Sequence, residues 1–327
     1  MPAPPLAEDW DVIIVGAGPA GLSAALILGR CRRRVLICDR GTPRSWASHA
    51  MHAYLSRDGI PPDAFRSEAH RELARYSAVS FRADAVVSAE RAPGPRFKVL
   101  FESGETASGR KLLLATGVMD ELPELAGIED FFGVSVFSCP YCDGWEVSDA
   151  PVAVYGKGSR GFEMARAMTA WTKDILLCTD GPARLAREQR TGLAANDIAL
   201  NEFPIVRLEG EGGQLSGVRF ADGSVVARKA LFFDTPCHPQ SQLATALGCA
   251  VTASGAIRCG RYEASSVPGV FVAGNILKNV QLSVVAAGEG AQAAFGINRA
   301  LTREDFDRRA GVLQPLDHPG PDSANVS

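Results

Sequence analysis

The chain has 327 residues, 46% of them hydrophobic and 22% charged, and 34 Lys and Arg stand against 37 Asp and Glu for a formal net charge of -3. That length accommodates two domains with full cores, and nothing in the charge balance points to nucleic acid or an anionic membrane. Apolar runs such as residues 12–15 and 112–115 are far too short to cross a bilayer. The opening MPAPPLAEDW is proline-rich and acidic, unlike a secretory signal, so a cytoplasmic location is expected. The closing LDHPGPDSANVS reads as a frayed tail.

In chain order, residues 12–15 read as a buried parallel strand that runs into Gly16-Ala17-Gly18-Pro19-Ala20-Gly21. An alanine-rich helix follows to about Gly29, then a strand over 35–38 ending at Asp39. This is a dinucleotide-binding unit. Gly16 permits the tight turn, Gly18 lets backbone approach a pyrophosphate, and Gly21 lets helix and strand pack closely. The helix start, with Pro19 and Ala20, offers free N–H groups to phosphate. Asp39 stands close to the expected ~20 residues on, where a carboxylate accepts from a ribose.

Next comes FKVLFESGETASGRKLLLATG, a hairpin with a Ser-Gly turn leading into a buried strand that ends at Ala115-Thr116-Gly117. SCPYCDGWE follows. Its Cys139 and Cys142 are the only close pair among eight cysteines. By itself this fits a glutaredoxin site, half of a zinc site, or an electron-exchanging disulfide. A second strand–loop–helix–strand unit then appears: strand 152–155, Gly156-Lys157-Gly158-Ser159-Arg160-Gly161, a helix to about Trp171, and strand 175–178 leading to Asp180. An acid there suits a free ribose 2′-OH and repels a 2′-phosphate, which argues for NADH or a flavin dinucleotide over NADPH. Arg184 and Arg187 follow closely enough to leave a phosphate in play. LSGVRFADGSVVARKALFFDT repeats the hairpin-then-strand phrase with an Asp-Gly turn. Finally, residues 265–301 read as a strand, then Ala273-Gly274-Asn275, then a small-residue helix.

With GAGPAG and Asp39, ATG, CPYCDG, GKGSRG and VAGN in this order, the chain resembles the low-molecular-weight thioredoxin reductases over about residues 10–300. The resemblance implies an α/β fold of two Rossmann-like, three-layer ββα nucleotide-binding domains, the second inserted into the first. Residues 1–117 and 241–327 would form the FAD domain and 118–240 the central domain. It further implies a homodimer, and a central domain that rotates on linkers at 116–120 and 234–240. Glutaredoxin is too short a fold for this chain, and no second CxxC completes a zinc ribbon.

By position, Cys142 would be the thiol facing the flavin, Cys139 the interchange thiol, and Asp143 the acid/base. FAD would be held by Gly16, Gly18, Pro19, Ala20, Gly21, Asp39, Arg40, Ser45, His52, Val86, Thr116, Gly117, Gly274, Asn275, Val280, Gln281 and Leu282, the last three opening the final helix. The second site would use Gly156, Gly158, Ser159, Gly161 and Asp180 for NAD(P)H or a second FAD. A thioredoxin-like protein or a small dithiol or disulfide would be the partner. Cys31, Cys38, Cys178, Cys237, Cys249 and Cys259 read as small buried hydrophobes.

Departures are informative. The arginine cluster usual after the second nucleotide strand is replaced by CTDGPAR, and Asn275 stands where the family carries aspartate. Residues 40–65, with His52 and Arg57, resemble a divergent branch of oxygen-dependent dithiol oxidases and nucleotide-independent or diflavin relatives. His52 and Arg57 would line a flavin or substrate pocket there, and as plain structure His49 and His52 read as surface or loop-packing residues rather than metal ligands. A flavin-bound redox sensor is the non-enzymatic alternative.

Overall fold

The computed structural model describes residues 9–311 apart from Ser254, Lys278 and Asn279. The readings of the two chain ends fall outside the described residues, on 1–8 and 312–327.

From the N-terminal side, β1 (Asp9–Val15), α1 (Pro19–Arg30), β2 (Val35–Cys38), α2 (Pro62–Leu73), β3 (Val79–Arg82), β4 (Val86–Ala92), β5 (Arg96–Phe101) and β6 (Thr106–Leu114) come first. Then follow β7 (Val118–Asp120), α3 (Ile128–Phe131), β8 (Val136–Phe137), α4 (Pro140–Asp143), β9 (Val152–Tyr155), α5 (Gly158–Met168), β10 (Ile175–Cys178), α6 (Arg187–Ala195) and β11 (Ala199–Asn201). The chain ends with β12 (Ile205–Glu211), β13 (Gln214–Phe220), β14 (Val225–Ala227), β15 (Ala230–Phe233), β16 (Cys237–Pro239), α7 (Leu243–Ala246), β17 (Val270–Val272) and α8 (Ser283–Arg309). It divides into two compact units. One takes the described residues up to Arg44, then Asp63–Met119 and all from Pro239; the other takes Ser45–Pro62 and Asp120–His238.

In the first unit a seven-stranded sheet runs β3-β2-β1-β6-β5-β4, with β17 also on β6. β1 pairs in parallel with β2 and β6, β5 pairs antiparallel with β6 as the expected Ser-Gly hairpin, and β4 adds to β5 antiparallel at the edge. Side chains alternate along a strand, so one strand feeds two cores. Val12 and Ile14 pack against α1 and α8 with Ala24, Ala293 and Ile297. Ile13 and Val15 face the other way, toward Phe97, Val99 and Leu243. A strand buried on both faces needs an unbroken apolar run, which is what VIIV supplies.

The second unit repeats the plan. Five parallel strands run β11-β10-β9-β15-β8, and β12-β13-β14 form a separate antiparallel ribbon. Val152, Val154 and Leu177 pack with Ala165 and Met168 of α5, whereas Ala153, Leu176 and Phe233 pack with Leu208 and Val218 of the ribbon. The second unit is therefore a helix layer, a parallel sheet and a separate β layer, whereas in the first the antiparallel strands extend the main sheet itself.

Four expectations are corrected here. Residues 45–62 lie within the stretch assigned to the first domain but belong to the second unit. There Trp46 lies 5.9 Å from Phe132, ring to ring. Gly133, at φ +83°, comes so close to Ala47 that a Cβ would sit 2.1 Å from its carbonyl oxygen. The helix expected to reach Trp171 ends at Met168, and Trp171 instead meets Tyr141 edge-on at 5.5 Å. The final helix starts at Ser283, after Val280, Gln281 and Leu282. Cys38, Cys178 and Cys249 are buried as expected, but Cys31 is exposed and Cys237 and Cys259 are partly so. Cys31 sits just past the last turn of α1, beyond the helix's buried face.

The closest helix contact in the first unit makes a test. A Cβ on Gly290 of α8 would lie 2.0 Å from the Ala20 carbonyl oxygen, whereas one on Gly288 would meet nothing within 4 Å. Gly290→Val should lower stability by about 1–3 kcal/mol or more through overpacking, and Gly288→Ala should be neutral or stabilising by about 1 kcal/mol. Thermal melts of both variants would show the contrast, and equal melting points would contradict it.

Candidate active site

The first glycine loop is built as a dinucleotide cradle. Gly16 has φ +105°, and a Cβ there would lie 2.3 Å from the Ala115 carbonyl oxygen. On Gly21 it would lie 1.9 Å from the Gly16 carbonyl oxygen, whereas Gly18 faces open space. α1 starts at Pro19 with no side-chain cap, which leaves the Ala20 and Gly21 N–H groups for a ligand. Beside the loop lies an open groove whose walls include Gly16, Asp39, Arg40, Val86, Thr116 and Gln240.

Asp39 is held by Arg66 of α2, whose Nη2 donates to its Oδ2 at 2.9 Å. Thr116 Oγ1 is buried with no hydrogen-bond partner. Gly117 has φ +66° and accepts from the Gln240 N–H at 3.2 Å. In the same unit the Gly274 N–H donates to buried Glu289 at 2.8 Å, Asn275 opens a short 3-10 turn, and Arg44 donates to Gln281 at 2.6 Å. Val280 is exposed, and Leu282 immediately precedes α8. Arg66, Gln240, Glu289 and Arg44 escaped sequence reading because each acts from a distant stretch of chain. Ser45 and His52, expected beside the flavin, lie in the second unit.

The second glycine loop is arranged differently. Gly156 and Gly161 touch, since a Cβ on Gly161 would lie 2.3 Å from the Gly156 carbonyl oxygen. Here Gly158, not the first glycine, has positive φ, and its N–H donates to the Ala183 carbonyl at 2.8 Å. Ser159 Oγ accepts from Gln189 Nε2 at 3.2 Å. Asp180 accepts the Ile205 N–H at 2.8 Å and has Lys157 Nζ at 4.0 Å. The residues expected to meet a nucleotide thus bond to the chain's own 183–205 stretch.

Cys139 and Cys142 form a disulfide with a Cα–Cα separation of 5.3 Å. Cys139 caps α4, Pro140 takes the first helical position where its missing N–H costs nothing, and Cys142 follows one turn on. Gly144 closes the turn against the Pro140 carbonyl oxygen, 2.5 Å from where a Cβ would be, and against the Trp171 ring. Asp143, half-buried, has its carboxyl pushed up to about 7. Burial is the main cause, the negative charge of Glu146 adds to it, and His52 opposes it. A carboxyl poised there can hold or release a proton near neutral pH. Beside it, His52 Nε2 lies 3.4 Å from Glu146 Oε1 and His52 Nδ1 lies 3.5 Å from Asp58 Oδ1.

Residues 10–290 match the family described as pyridine nucleotide-disulphide oxidoreductase. The chain belongs to that family. Among relatives of this oxidoreductase is thioredoxin reductase tcpT of Claviceps purpurea, 32% identical and covering 87% of this chain and 92% of the relative. Thioredoxin reductase of Aquifex aeolicus is 28% identical over 90% and 94% of the two chains. The crystal structure of HlmI superposes with a TM-score of 0.90 at 36% identity, covering 94% of this chain and 98% of that one. The oxidoreductase is thus thioredoxin-reductase-like, with two Rossmann-type units. Among its described residues, no helix is long and apolar enough to cross a membrane.

The family implies FAD and a pyridine nucleotide. The first groove fits a dinucleotide on three counts: open space at Gly18, an uncapped helix start, and the orphaned Thr116 hydroxyl.

Proposed function

We propose that the chain is an FAD-dependent dithiol–disulfide oxidoreductase whose exchanging pair is Cys139–Cys142, with Asp143 as its proton donor and acceptor. The observation that carries this reading is the disulfide with a carboxyl raised to about 7 in the next position. Bound FAD supplies a two-electron carrier for the cysteine pair. Gly16, Gly18, Pro19, Ala20 and Gly21 would hold its pyrophosphate, Asp39, braced by Arg66, its ribose, and Arg40, Val86, Thr116 and Gly117 the groove walls. Gly274, Asn275, Val280, Gln281 and Leu282 would complete the site.

In exchange with a substrate disulfide, the Cys139 thiolate attacks one sulfur and the substrate S–S bond breaks. The departing thiolate takes the Asp143 proton. The Asp143 carboxylate takes the Cys142 proton, Cys142 attacks Cys139 Sγ, the mixed disulfide breaks, and the second substrate thiolate leaves and takes that proton from Asp143. The substrate is reduced and the Cys139–Cys142 pair oxidised, and the reverse sequence oxidises a dithiol. A thioredoxin-like protein or a small dithiol fits this chemistry. A cytoplasmic homodimer belongs to the same proposal.

A second reading concerns the other electron partner. The Gly158 and Asp180 bonds engage groups that a dinucleotide in the central unit would use, which favours a flavin that exchanges electrons with oxygen and not with a nicotinamide. One experiment separates the two. Flavin is quantified per chain after denaturation, and the native flavin band is then followed anaerobically with dithiothreitol, NADH and NADPH. Bleaching by dithiothreitol is expected under both readings. Rapid bleaching by NADH or NADPH supports a reductase, and none supports the second reading. Protein that binds no flavin, or whose flavin ignores dithiothreitol, would overturn both.

A further inference from the structure

His52 sits in a loop that the structure closes on itself. Met51 and Ile60 form a β-bridge, and the Gly59 N–H donates to the Met51 carbonyl at 2.9 Å. Asp58 Oδ1 is anchored by the Ala53 N–H at 2.8 Å. This loop belongs to the same unit as Cys139–Cys142. It delivers the imidazole, one-fifth exposed, between two carboxylates: Asp58 at 3.5 Å from Nδ1 and Glu146 at 3.4 Å from Nε2. Both are ion-pair contacts, attractive when the ring carries a proton.

Resting on the function proposed above, we propose that His52 is a positioning residue for the redox pair: pinned by Asp58, it holds Glu146 and sets the net charge facing Asp143. The inference stands on the paired contacts of one ring and on the closed loop that presents it. The charged groups facing Asp143 are Glu146, which disfavours its ionised form, and His52, which favours it. Those facing His52 are Asp58 and Glu146. The signs are opposite, and this separates the proposal from a merely structural role. Removing a protonated His52 leaves Glu146 uncompensated and makes Asp143 harder to ionise. Loss of the Glu146 charge makes it easier.

The test uses the full-length purified protein. Reduction of Cys139–Cys142 by dithiothreitol is timed by alkylation and intact-mass measurement from pH 5 to 9, so the readout needs no flavin. Wild type, His52→Gln, His52→Ala, Glu146→Gln and Asp143→Asn are compared. Asp143→Asn should erase the limb near neutrality. Both His52 variants should move its midpoint to higher pH and Glu146→Gln to lower pH. Agreement of His52→Gln with His52→Ala guards against local misfolding, because glutamine keeps a hydrogen-bonding side chain. Midpoints that stay put, or that shift the same way in the His52 and Glu146 variants, would overturn the role of His52 and leave the cysteine pair's function standing. A pair that does not exchange at all, or a wild-type limb that survives Asp143→Asn, would overturn both.

Discussion

Cys142→Ser is expected to lower turnover with any disulfide or dithiol by about a thousandfold or more, the scale on which losing a covalent nucleophile is felt. Cys139→Ser should do the same, yet the two should differ in what they trap. With Cys142 gone, a mixed disulfide on Cys139 has no internal partner to release it, so an added thionitrobenzoate disulfide should remain attached and be seen by intact mass. With Cys139 gone, the trapped species should be sparse. Exposed Cys31 would confuse the count, so both variants belong in a Cys31→Ser background. Equal trapping would reverse or erase the division of labour, and near-normal turnover in either variant would remove the pair from the chemistry.

Asp143→Asn should cost about 10²–10⁴-fold in the proton-dependent exchange step. The neutral amide cannot supply the proton that an acid raised to about 7 holds below that pH. The same substitution should help the fold. Because burial and Glu146 lift this carboxyl from its ordinary value near 3.8, the folded state binds more protons than the unfolded state between those two values. The group's contribution to stability is therefore greatest at low pH and falls as pH rises through about 7. The melting temperature of Asp143→Asn, relative to the parent, should accordingly be higher at pH 8 than at pH 4. Loss of activity with no such crossover would mean that Asp143 matters for geometry alone.

How much was legible beforehand follows the range of each interaction. β2, β9 and β10 fall on the expected residues because a strand buried on both faces must be an apolar run, and such runs are local. Gly16 and Gly21 were readable because the loop's clashes lie within a few residues or at the next strand's end. Arg66 behind Asp39 and Glu289 under Gly274 were not readable, since each depends on a helix returning from elsewhere. Asp180 was read from its position as a ribose ligand, but the structure gives its carboxylate to the Ile205 N–H, a contact set by where β12 starts. His52 was noticed as a residue type in an odd stretch. Its carboxylate neighbours appear only when 45–62 joins the second unit.

That allegiance of Ser45–Pro62 changes what counts as a transplantable module. The Cys139–Cys142 unit is stitched from two separate lengths of chain, so its boundaries are crossed four times in sequence and not twice. A graft of residues 120–238 alone would leave Phe132 without Trp46 and Glu146 without His52. Recombination that exchanges only the central stretch would mismatch its disulfide with a foreign loop. The two stretches form one exchange unit: a transplant that keeps the Trp46–Phe132 and His52–Glu146 contacts must carry residues 45–62 together with the cysteine motif.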